Sequence, residues 1–147
     1  MRKVMYWLML LGIPVLLADC KKKDLDAGGD RAEIMMSTGW KLERVTDTKG
    51  QVISQSQLNL ATQALYFLEI QFRDNNTTRA LDRVTRQVVN GGTWYLVENN
   101  QALDVEISQF KGRFQIVELS RSKLTLKNKV PVGGTETDAH LEFAPSI

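Results

Sequence analysis

The stretch "TWYLVENNQALDVEI", residues 93–107, decides the fold. Trp94 and Leu96 alternate with Tyr95 and Val97, and beyond "ENNQ" Leu103, Val105 and Ile107 alternate with Asp104 and Glu106. A repeat of two with one apolar face is the pattern of a half-buried strand. Asn99 and Asn100 tolerate the left-handed backbone that a tight connection needs. The segment therefore reads as a β-hairpin with one face turned to a core.

The same period recurs on both sides. In "LYFLEIQFR", residues 65–73, Tyr66, Leu68, Ile70 and Phe72 fall on one face, with Phe67, Glu69, Gln71 and Arg73 on the other. "WKLERV" opens the series with Trp40 and Leu42. "RFQIVEL" presents Phe114 and Ile116 and then switches face through Val117 and Leu119. "SKLTLKN" turns Leu124 and Leu126 inward and Lys123, Thr125 and Lys127 outward, and "AHLEF" turns Leu141 and Phe143 inward with His140 and Glu142 outward. Weaker strands lie between residues 78 and 90 through Ala80, Val84, Val88 and Val89. Turn clusters such as "DTKG", "RDNN", "FKG" and "PVGG" separate them. Short strands in series with brief turns predict sequential antiparallel pairing. About eight of them are enough to close a barrel without free edges. An all-β fold with a single antiparallel barrel is expected, an open barrel or a β-sandwich being the alternative. "QVISQSQLNLATQ", residues 51–63, fits a lid-like loop or short helical turn at a barrel mouth, and "AEIMM", residues 32–36, a helical turn closing an end.

The first twenty residues differ from the rest. Arg2 and Lys3 precede an apolar run from Val4 to Ala18. That run is short for a spanning helix, which needs roughly 20 apolar residues, and Pro14 interrupts it. Its length suits the hydrophobic region of an export signal. Cys20, the only cysteine, follows directly. "KKKDLDAGGDRAE", residues 21–33, is too polar to fold alone and reads as a flexible spacer whose lysines can meet anionic head groups.

Composition narrows the function classes. Charged residues make up 24% of the 147 residues and the formal net charge is +2. That balance does not supply the dense set of phosphate contacts a nucleic-acid binder requires. One cysteine excludes an internal disulfide and a cysteine-cluster zinc site. One histidine, His140, leaves few nucleophile–base designs. Asp104 and Glu106 form a carboxylate pair of the kind that serves glycoside hydrolysis, but alternate charges on a hairpin are the ordinary solvated face. Lys123, Lys127 and Lys129 read as lysines that guard a sheet from edge pairing. No catalytic residue, metal site or cofactor is expected.

Leu17-Ala18-Asp19-Cys20 resembles the lipobox of bacterial lipoproteins, with Asp19 where that family favours a small residue. Together with the polar spacer, the tryptophan of "GWKLERV", the hairpin above and "FQIVELSRSKLTLKN", it resembles the lipocalin-like lipoproteins of Gram-negative bacteria over residues 38–144. The resemblance implies a signal peptide at 1–19, a lipidated Cys20 with a flexible tether over 20–37, and a lipocalin-like β domain at 38–147. It implies a monomer held to the cell envelope, at the outer membrane, by N-terminal lipid. It further implies a non-catalytic protein that binds a small lipophilic ligand. The alternative is an envelope protein–protein interaction or inhibitor module with a side-chain-filled barrel. The inward residues Trp40, Leu42, Tyr66, Leu68, Ile70, Phe72, Trp94, Leu96, Phe114 and Phe143 are the candidate ligand-lining set.

Overall fold

The alternation found in the sequence becomes a closed barrel in which each strand pairs antiparallel with the next and the last returns to the first. The structure, a computed structural model, describes residues 27–147. The expected signal segment 1–19, Cys20 and residues 21–26 of the tether lie outside the described residues.

Helix α1 (Ala27–Met36) leads into β1 (Gly39–Asp47). A connection with a 3₁₀ turn (Gln55–Gln57) and helix α2 (Leu60–Leu65) runs to β2 (Leu68–Phe72). The meander continues through β3 (Thr77–Asp82), β4 (Val88–Val97), β5 (Ala102–Ile107), β6 (Phe110–Ser120), β7 (Lys123–Val132) and β8 (Thr135–Pro145). Closure comes from β1 and β8, paired from Trp40↔Pro145 to Asp47↔Ala139. The alternation sends Trp40, Leu42, Ile70, Phe72, Trp94 and Leu103 into one core cluster, whose buried members all lie between Met35 and Phe143. The described chain thus carries a whole core and no open sheet edge, the two requirements for a barrel that folds by itself.

Local chemistry explains the turns and the switches. Glu98, Asn99 and Asn100 all take positive φ at the β4–β5 turn, as the asparagines suggested. The face switch in "RFQIVEL" is a β-bulge between Ile116 and Glu118. It leaves Val117 exposed and sets Leu119 opposite the buried Leu124. One extra residue in a strand turns every later side chain to the other face.

Several expectations are corrected. The flexible tether over 20–37 is too long: α1 begins at Ala27, and Met35 is fully buried, with Ala32, Ile34 and Met36 packed against the core. These four apolar residues, close to a barrel end, gain enough burial to order a segment whose composition alone is polar. Tyr66 is not on an inward strand face. It is the C-cap of α2, and β2 starts only at Leu68. Val84 stands 90% exposed in the β3–β4 turn and contributes nothing to a strand face. Thr125 points outward yet is buried.

Glu69 is the largest departure from simple alternation, since it faces outward but its side chain is only 2% exposed. Arg86 of the β3–β4 turn pairs with it, Gln71 Nε2 donates to it at 2.9 Å, and Ser146 Oγ donates to it from beyond β8. The Arg86 hydrogen bond leads in holding its pKa down to about 2, with Ser146 and Gln71 adding to it and burial opposing. Gly39 makes room for this carboxylate: a Cβ there would stand 2.2 Å from Glu69 Oε1. The glycine before the first-strand tryptophan is therefore a spatial requirement of the clasp.

Candidate functional site at the barrel mouth

The two barrel ends differ in what seals them. At the α1 end, the Trp40 indole Nε1 donates to the Met35 carbonyl at 2.9 Å, and the Trp94 indole Nε1 donates to the Arg73 carbonyl at 2.9 Å. Phe72 meets Trp94 edge-on, with ring centroids 5.3 Å apart. Buried indoles keep their N–H groups satisfied, so this end is packed shut.

The opposite end carries α2. Asn59 Oδ1 accepts from the Thr62 backbone N–H at 3.0 Å and caps the helix. Gln63 Nε2 donates to the Leu58 carbonyl at 2.7 Å. The Gly133 N–H donates to the Gln57 carbonyl at 2.7 Å, and Leu58 bridges Val132. The start of α2 is thus pinned to the β7–β8 turn. Its far side is less well covered.

Beneath that side lies a cleft of about 380 Å³, bounded by Leu60, Ala64, Leu68, Ile70, Val89 and Ile107. Phe110, at the start of β6, forms a wall. The volume lies within the roughly 300–1,000 Å³ of small-molecule sites. A second compartment of about 110 Å³ shares Ala61, Gln109 and Phe110 with the first and reaches Phe114 and Leu141. A larger hollow of about 710 Å³ sits on the outer sheet face among Thr93, Tyr95, Asp104, Glu106 and Arg113. It is broad and carries Asp104, Glu106, Lys111 and Arg113, whereas no charged residue lines the smaller cleft and buried Leu65, Ile70 and Ile107 form its walls, so that cleft is the better candidate site.

The candidate lining residues separate into groups. Leu68 and Ile70 reach the larger compartment and Phe114 the smaller. Trp40, Phe72, Trp94 and Phe143 are packed in the core, each at most 5% exposed, and Leu96 is half-buried against it. Leu42, also buried, and Tyr66 border an outer cleft with Lys41, Arg83 and Pro145. Burial raises the pKa of the Tyr66 phenol, a backbone hydrogen bond at Val45 opposing. The Arg83 guanidinium donates there to the Leu42 and Leu68 carbonyls, at 2.9 and 3.0 Å. These carbonyls lie where the β1–β2 register, last seen at Lys41↔Glu69, has ended.

Sequence reading missed Leu60, Ala64, Val89 and Phe110. The first two belong to a six-residue helix, too short to show a period, and Phe110 looked like part of a turn. An apolar residue inside a turn cluster was the available signal. Large apolar side chains also stand exposed around this end: Val52, Leu60, Phe67, Val84, Val88 and Val89.

The other chemistry weighed in the sequence takes ordinary positions. Both Asp104 oxygens accept from Arg113, at 2.7 and 2.9 Å, which lowers the pKa of Asp104. His140 lies on the outer face opposite Thr46 and Lys127. Lys123 pairs with Glu118 at 3.1 Å. Among the described residues there is no cluster of side chains with metal-ligand grouping, and no helix is long and apolar enough to cross a membrane.

The chain matches no protein-family model and no curated protein. A solved structure does resemble it: a lipocalin-like protein from Bacteroides uniformis, with a TM-score of 0.50 and 12% sequence identity. The match covers 76% of this chain and 99% of the other. The fold is therefore lipocalin-like, an eight-stranded closed barrel.

Proposed function

We propose that this protein is a non-catalytic, lipid-anchored component of the bacterial cell envelope that holds a small lipophilic ligand at the mouth of its barrel. The apolar cleft beneath α2 carries the reading. It combines walls from the barrel interior, a lining without charged residues and a partial lid. The site differs from a deep central chamber, because the closed end is already occupied by Trp40, Phe72 and Trp94. Apolar surface at the mouth attracts a ligand through the free energy of removing that surface from water.

The anchor rests on the sequence around Cys20, and outer-membrane placement rests on the lysines that follow it. A thioether-linked diacylglyceryl group and an acylated amine would hold the barrel firmly to a bilayer. Cys20→Ser abolishes acyl labelling under this reading, and unchanged labelling would refute it.

The ligand is tested by purifying residues 24–147, exported in the native host, and comparing native with denatured mass spectra. A reproducible apolar adduct released on denaturation is expected. A clean mass would favour the second reading, an interaction module with a filled barrel. The exposure of Val52, Leu60, Phe67, Val84, Val88 and Val89, all on the connections at the α2 end or next to them, is the observation that supports that alternative.

A further inference from the structure

Helix α1 lies across the sealed end of the barrel. It packs against β6 and against β2, which stand four strands apart in a ring of eight and so face each other across the axis. Glu33 Oε1 accepts from Arg121 of the β6–β7 turn at 3.4 Å, and the Met35 carbonyl accepts from Trp40. The helix starts at Ala27, seven residue steps after Cys20. Whatever path those steps take, they span at most about 25 Å, since a chain extends by no more than about 3.6 Å per residue.

The mouth is farther away than that. β7, ten residues long, runs from the sealed end to the mouth. At about 3.3 Å per residue and a tilt near 40°, the wall is about 25 Å tall. α2 over the mouth adds about the 10 Å thickness of a helix. A bilayer pressed against the mouth would therefore stand roughly 35 Å from α1, beyond the reach of an anchor at Cys20.

We infer that the sealed end is the membrane-facing surface of the anchored protein, and that the mouth opens away from the bilayer toward the aqueous compartment from which its ligand must arrive. This rests on reading Cys20 as the lipid-bearing residue and the mouth as the ligand site. The apolar side chains exposed at that end, Leu60 and Val84 among them, are presented to the same compartment and not to the leaflet that holds the anchor.

The test uses the full chain, purified with its acyl groups from the native host and reconstituted in phosphatidylcholine vesicles that carry nitroxide-headgroup lipid. A bimane fluorophore is attached at Lys49→Cys, in the β1–β2 connection at the mouth, or at Ser122→Cys, in the β6–β7 turn at the sealed end; both positions are exposed. Cys20 is the chain's only cysteine, so with its thiol acylated the label goes to the introduced one. Quenching should be at least about threefold stronger at Ser122→Cys than at Lys49→Cys. A Gly/Ser insertion of roughly twenty residues after Asp26 should bring the two close to parity, because the longer tether reaches past the barrel. Equal quenching without the insertion, or stronger quenching at Lys49→Cys, overturns the orientation while leaving the anchor and the ligand site standing. A difference that survives the insertion overturns the tether as its cause. A chain that carries no acyl mass and does not bind the vesicles overturns the anchor and this inference together.

Discussion

The α1 end and the α2 end of the barrel are built from the same eight strands and reach opposite outcomes. At the α1 end, two tryptophans place both indole N–H groups on backbone carbonyls, and Met35 is fully buried among them. At the α2 end, a six-residue helix leans over the mouth, and Leu60 of that helix is 81% exposed. The difference teaches that barrel closure by strand pairing does not determine whether an end is closed to ligands. That depends on which side chains the connecting segments bring to the axis.

The comparison can be broken or sharpened in order of effect. Trp40→Ala removes the largest fully buried side chain at the sealed end. Urea denaturation should show a loss of about 3–5 kcal/mol, and a loss below about 1 kcal/mol would mean the sealed end is not core.

Acid should act next, through Glu69. Its pKa falls from 4.5 to about 2 on folding. A depressed carboxyl pKa stabilises the fold fully above the unfolded value, and the contribution is lost as pH falls through the folded one. Melting temperature should therefore drop between about pH 4.5 and 2, and Glu69→Gln should flatten that part of the profile. A slope unchanged in the variant would assign acid sensitivity elsewhere.

Asn59→Ala removes the cap of α2 and should cost about 1 kcal/mol. Amide exchange should accelerate in residues 60–65 while β7 and β8 keep their protection. Exchange that quickens equally throughout would show that the lid and barrel open together.

Ala64→Trp, an exposed position bordering the larger compartment, should change stability by no more than about 0.5 kcal/mol. It should nevertheless block binding of the fluorescent apolar probe N-phenyl-1-naphthylamine at the mouth. Unimpaired binding would place the ligand elsewhere.

The strand faces were legible because alternation and burial are the same constraint in a barrel with one apolar side. The β4–β5 hairpin could be read down to its turn asparagines, and the bulge at Val117 was visible as a break in period. Tyr66 escapes the strand pattern because the five residues of true strand extend backwards into "LYF" without any change in hydropathy, while the helix cap at Asn59 acts from seven residues away. Glu69 could not be read as buried, since its partners Arg86 and Ser146 are distant in sequence.

By itself, the sequence determined the serial antiparallel strands, the inward set apart from Tyr66 and an apolar N-terminal run followed by Cys20. These follow from local period and composition, which neighbouring residues carry among themselves. Only the tertiary structure decided that one end is sealed and the other hollow, and that Gly39 yields space to Glu69. Those outcomes depend on where separate connections meet in space, and no single stretch of chain contains that information.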